Sequence, residues 1–142
     1  MPKTLSCVPS RLLPVLMING TSDPVVPYKG GTGHATSYTT LSVEESAKTW
    51  ASFNNCDAKS KRTTLPSQAK GGEKVEVDKF TCKPEAEVLL YSVKGGGNTW
   101  PGGVQFLPEK EVGKTSKDLD ASEVIWKFFA AHKLPAESAP KS

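Results

Sequence analysis

Two long stretches of this sequence carry no hydrophobic periodicity, and each begins where a short apolar run ends. "LLPVLMING" (residues 12–20) leads into a polar, glycine-rich segment from Thr21 to Leu41. "EVLLYSV" (residues 87–93) leads into "KGGGNTWPGG" and a patternless segment reaching Leu119. Structureless connections longer than about 15 residues are uncommon in compact domains and are usually functional or disordered. Short continuous apolar runs read as buried strands, and open α/β sheets bind ligands at the carboxyl ends of their strands. The two segments therefore predict one site, with residues 20–40 and 94–119 as its walls.

The remaining segments predict the frame. "SVEESAKTWASFNNC" sets Ser42 and Glu45 at capping-box spacing and carries Val43, Ala47, Trp50, Ala51 and Phe53 at helical intervals, which predicts a helix over about 42–54. Residues 57–73, rich in Lys, Ser, Thr and Gly, read as a surface connection. "KVEVDKFTC" alternates as a strand does, and the four residues between it and "EVLLYSV" allow a hairpin. "DASEVIWKFFAAH" begins with Asp120 and Glu123 at box spacing and puts Ala121, Val124, Ile125, Phe128 and Phe129 on one face, predicting a C-terminal helix. Residues 1–10 and 135–142 are expected to be flexible. This order of elements predicts an α/β fold in a single domain, residues 1–142.

Composition narrows the classes. At 142 residues, 37% hydrophobic and 23% charged, with a formal net charge of +3, the chain reads as a soluble globular domain able to bury one core. Its lysines are scattered, which argues against a nucleic-acid surface. No apolar run reaches membrane-spanning length, and "MPKTLSCVPS" lacks the apolar core of a signal peptide. Cys7, Cys56 and Cys82 match no zinc or CxxC spacing, so neither a metal nor a cofactor is expected. Cys56 closes the predicted first helix and Cys82 a predicted strand. A bridge between them, closing about 27 residues and worth roughly 3.5 kcal/mol, and a pair of buried thiols both fit. Cys7 is left over, a hint of a partner outside this chain.

Individual residues raise the question of chemistry. In "INGTSDPVVPY", Asp23 sits just past a strand end between Gly20 and Pro24, placed either to orient a group across the sheet edge or to shape a turn. Asn19-Gly20-Thr21 forms a glycosylation sequon that the strand end would half bury. Asn98, the prominent polar residue of the second loop, has a carboxamide that exchanges no proton near neutral pH. His34, in "GGTGHATSY", could swing toward Asp23 with Ser22 or Ser37 as nucleophile, but no elbow exposes either serine. His132 ends the last helix, where a partly charged imidazole complements the helix dipole. Trp100 is either an apolar wall or a ring packed under its own loop.

"GTSDPVVPY", "LSVEESAKTWASFNNC", "GGGNTWPGG" and "DASEVIWKFFAAH" together, in order and spacing, resemble the C-terminal half of secreted polyhydroxybutyrate depolymerase-like and feruloyl-esterase-like α/β-hydrolases, over roughly residues 10–134. The resemblance implies a partial α/β-hydrolase fold: C-terminal strands of a mostly parallel sheet, flanking helices and two long active-site loops. It implies carboxylic-ester hydrolysis by a Ser-His-Asp triad, with Asp23 as the triad acid. The family's loop reads GGGHTWPGG, so Asn98 stands at the triad histidine, and Trp100 and Pro101 at the substrate. It also implies a Cys56–Cys82 bridge and a secreted, extracellular or periplasmic protein.

The chain departs from that pattern twice. It contains no G-x-S-x-G elbow, and an amide stands where the general base belongs. An esterase inactive by itself is the expectation, its serine and oxyanion hole awaiting a missing N-terminal half. The alternative is a non-catalytic binding or interaction module, or a truncated product of that fold. Removing N-terminal strands would uncover the edge of the Val15–Ile18 strand, so binding of the missing half or self-association is expected, with an ester substrate once the site is complemented.

Overall fold

Val15–Gly20 (β1) and Val88–Val93 (β4) lie side by side and parallel, with Val15 opposite Val88 and Gly20 opposite Val93. Their carboxyl ends therefore reach the same edge of the sheet. Val75–Phe80 (β3) pairs antiparallel with β4, and Ser60–Leu65 (β2) pairs antiparallel with β3. The result is a four-stranded mixed sheet in the order β1-β4-β3-β2, compatible with a partial α/β fold. The structure is a computed structural model that describes residues 8–33, 39–67, 72 and 74–133; Cys7, His34 and Ser37 lie outside them.

Alternating side chains of the sheet feed two cores. On one face, the helix Val43–Phe53 (α1) buries Val43, Ala47 and Ala51 against Phe80, Val88 and Leu90, with Val15 and Met17 alongside. Ser42 starts this helix with a reciprocal cap: its Oγ accepts from the Glu45 N–H at 3.1 Å, and Glu45 Oε2 accepts from the Ser42 N–H at 2.9 Å. On the other face, Val75, Val93 and Leu119 pack with Ile18 of β1, Tyr91 of β4, and Val124 of the helix Ala121–Ala131 (α3), which is capped by Asp120. Both helices begin where the sequence predicts them.

Asn54 links the end of α1 to the sheet. It is 1% exposed, and its Nδ2 donates to the carbonyls of Leu13 at 2.6 Å and Ala86 at 2.9 Å. Each of those carbonyls lies just before a strand of the parallel pair. Immediately beyond, Cys56 and Cys82 are joined in a disulfide.

Four expectations need correction. The strands are not mostly parallel: β1 and β4 pair that way, while the β4–β3 and β3–β2 pairings are antiparallel, as the short β3–β4 connection requires. Residues 57–73 are not wholly a connection, because β2 lies within them. Its sequence, SKRTTL, shows no apolar alternation because four of its six residues are exposed, and the backbone ladder with β3 fixes it instead. The patternless segment 94–119 contains a single-turn helix, Glu109–Val112 (α2), ended by Gly113 at φ 78°. The expected apolar face of α3 is covered only in part: Ala121 and Phe128 are buried, whereas Phe129 is 64% exposed.

Candidate functional site

The loop after β1 rests closely on the backbone of the loop after β4. The Thr21 N–H donates to the Val93 carbonyl and the Ser22 N–H to the Gly96 carbonyl, both at 2.9 Å. A Cβ on Gly20 would lie 2.2 Å from the Gly96 oxygen, so no side chain fits there. The second loop is gripped from its far side as well. Gly97 and Asn98 donate their N–H groups to the carbonyls of Lys114 and Val112, at 2.9 and 2.6 Å. A Cβ on Gly97 would approach the Val112 oxygen to 2.1 Å. The glycines of this segment thus let three backbone strands stack closely, and Asn98 emerges from that stack with little positional freedom.

Asp23 is held with similar economy. Its Oδ1 accepts from the N–H groups of Val25 and Val26, both at 2.8 Å. These are the contacts of a turn aspartate, and they leave Oδ2 to face the other loop. There it accepts from Asn98 Nδ2 at 2.9 Å, across 75 positions of sequence. All three donors to this half-buried carboxylate are neutral N–H groups, so no side-chain cation among them offsets its charge.

In asparagine, Nδ2 is bonded to Cγ as Nδ1 is in histidine. The Asn98 amide therefore presents to Asp23 the same kind of N–H an imidazole would. It has no counterpart to Nε2, the nitrogen that would reach beyond the pair. The arrangement can orient and hydrogen-bond a ligand, but it cannot relay a proton near pH 7.

The pair lines a cleft of about 310 Å³ together with Gly20, Trp100, Phe106 and Ser116. Trp100 is 52% exposed, and its Nε1 donates to Ser122 Oγ at 3.1 Å. The indole is thus tethered at the rim and not packed under its own loop. Pro101, also lining the cleft, is buried, and its carbonyl accepts from the Ala121 N–H at 3.0 Å, tying the loop to the start of α3. Phe106 and Ser116 join the site from the patternless segment, where no local signal distinguishes them. Asn19 is half-buried in β1.

Other candidates lie elsewhere or out of view. His132 caps α3, with Nδ1 2.7 Å from the Phe128 carbonyl and Nε2 3.5 Å from Glu87, and it does not line the cleft. Ser22 is exposed, and its backbone N–H serves the loop contact. His34 and Ser37 fall outside the described residues.

Known proteins with similar sequences bear esterase names. Over 133 residues the chain is 28% identical to "Putative esterase NocK" of Nocardia uniformis subsp. tsuyamanensis, covering 85% of this chain and 38% of that protein. Over 95 residues it is 33% identical to feruloyl esterase B of Piromyces equi, covering 65% of this chain and 16% of that protein. The chain is thus related to esterases at low identity and spans well under half the length of these relatives. No protein-family model matches it, and no solved structure matches it significantly.

Proposed function

We propose that this chain carries the acid and base loops of a carboxylic-ester hydrolase of the α/β-hydrolase fold, with asparagine in the base position and the nucleophile supplied from outside this sequence. The observation that carries this reading is the 2.9 Å hydrogen bond from Asn98 Nδ2 to Asp23 Oδ2. It forms at the common carboxyl edge of two parallel strands. In a Ser-His-Asp site the aspartate accepts the imidazole Nδ1–H, while Nε2 takes the serine proton and returns it to the leaving group. Asn98 reproduces the first contact and lacks the second.

The esterase names of the two relatives support this reading. The disulfide suits an oxidising compartment, and so a secreted protein. Trp100 and Phe106 beside the polar pair suit an ester whose acyl group is apolar or aromatic. With no elbow serine and no base, the chain alone turns over no ester. Purified protein is to be offered p-nitrophenyl butyrate and, separately, a fluorophosphonate probe. The expected result is no release above a heat-denatured control and no labelled serine. Turnover abolished by Asp23→Ala would contradict the reading.

A second reading, a binding module without turnover, is favoured by the cleft itself, which stays open with its tryptophan tethered at the rim. Methyl ferulate that shifts the Trp100 indole and Asn98 amide resonances, and is recovered intact, would support it.

A further inference from the structure

Between Gly103 and Thr115 the chain makes an excursion that ends against the loop carrying Asn98. Lys117 Nζ closes its base by donating to the Gly103 carbonyl. The returning residues 112–115 are held by two sets of hydrogen bonds. In the first, the carbonyls of Val112 and Lys114 accept from the backbone N–H groups of Asn98 and Gly97, at 2.6 and 2.9 Å. The second comes from the side chain of Gln105. Its Nε2 donates to the Leu107 carbonyl at 2.7 Å and to the Gly113 carbonyl at 3.0 Å, and its Oε1 accepts from the Thr115 N–H at 2.8 Å. Both amide hydrogens and the amide oxygen are therefore engaged, and only a carboxamide supplies that set. Gln105 serves this segment as the backbone of a neighbouring strand would, giving a donor to one residue and an acceptor to the residue two further on.

We propose that Gln105 is a positioning residue that sets Phe106 as a wall of the cleft in register with Asn98, and so decides how well the site takes a ligand bearing an aromatic group. Phe106 lines the cleft together with Asn98 and Trp100. It belongs to neither hydrophobic core, so the course of the backbone around it decides where its ring lies. Gln105 fixes that course on both sides of Phe106, because its own side chain bonds the carbonyl of Leu107. The same amide bonds residues 113 and 115, while residues 112 and 114 seat the loop of Asn98. The aromatic wall and the polar pair are thus referred to one short segment, and a slack Gln105 lets the wall shift against the pair. The inference rests on the reading of the cleft as a ligand site and not on turnover.

Methyl ferulate titrated into the full chain, and followed by NMR at the Asn98 side-chain amide and the Trp100 indole, gives the affinity that tests this. Four proteins are compared: the unaltered chain, Gln105→Met, Phe106→Ala and the double variant. Each single change should weaken binding about fivefold, and the double variant should bind no more weakly than Phe106→Ala alone, because Gln105 acts through Phe106 and coupled neighbours are not additive. Gln105→Glu keeps the acceptor for Thr115 but turns an oxygen toward two carbonyls, so it should weaken binding at least as much as Gln105→Met. A glutamine that served stability alone would lower the urea midpoint and leave the affinity of the folded protein unchanged. That result would overturn the proposal, as would equal losses of affinity with and without the Phe106 ring. A probe that moves neither resonance in the unaltered chain would overturn it too, whereas the Asp23–Asn98 assignment is decided separately, by the titration of Asn98→His.

Discussion

The side-chain amide of Asn98 donates to the carboxylate of Asp23 at 2.9 Å, joining two loops that follow adjacent parallel strands. The contact rests on tight backbone stacking beneath it, so its persistence depends on residues that never touch either side chain.

Gly97 is the sharpest case. A Cβ there would lie 2.1 Å from the Val112 oxygen and 2.4 Å from the Gly113 Cα, both backbone atoms that cannot turn aside. Gly97→Ala should destabilise the protein by about 1–3 kcal/mol, as overpacking of a close-packed site does. A shift in the urea midpoint would measure this, and faster exchange of the Asn98 side-chain amide than in the unaltered protein should accompany it.

Asp78 ties stability to pH. Burial pushes its carboxyl up, but hydrogen bonds from Arg62 and Ser60 and the charge of Arg62 outweigh that and hold it below the ordinary aspartate value. A carboxyl depressed in the folded state contributes stability that is complete above its unfolded pKa, about 3.9, and is lost as pH falls through the folded value. Stability should therefore decline from about pH 5 downward, and Asp78→Asn should flatten that decline. Arg62→Ala leaves a 4%-exposed carboxylate with Ser60 as its remaining hydrogen-bond donor among these two. Because Arg62 itself is about half exposed, the cost at neutral pH should be about 1–3 kcal/mol. Urea denaturation across pH checks both variants.

The Cys56–Cys82 disulfide closes a separation of 26 residues. In the chain-entropy account such a loop is worth roughly 3.5 kcal/mol, so the Cys56→Ser/Cys82→Ser double variant should lose about that much. Thiol titration of unfolded, unreduced protein should find one free thiol, Cys7. Three would contradict the bridge.

Much of this arrangement is legible before any coordinate is known, for reasons that differ by element. α1 and α3 announce themselves because a cap and a 3.6-residue apolar period occupy the same short window, at Ser42–Phe53 and Asp120–Ala131. β1 and β4 do so because a strand covered on both faces must be apolar throughout. β2 is silent, since an exposed edge strand needs only a backbone partner, and SKRTTL meets that need without any apolar alternation. The meeting of the turn at residues 20–23 with the turn at residues 96–98 follows from two strand ends at one edge, whereas Phe106 and Ser116 reach the cleft through long-range folding of their segment. That Trp126 and Phe129 stay exposed on a strongly amphipathic helix could not be read from periodicity, which fixes a face without saying what covers it.

The central claim is that Asp23 and Asn98 hold the acid and base positions of a catalytic pair, and an NMR titration of Asn98→His tests it most directly. If the claim is right, the new imidazole donates its Nδ1–H to Asp23, and the nearby carboxylate favours the charged ring. Its pKa should rise above the roughly 6.5 of an unperturbed histidine and fall back when Asp23→Asn is added. A histidine at position 98 that titrates like a free one, indifferent to Asp23→Asn, would contradict the account.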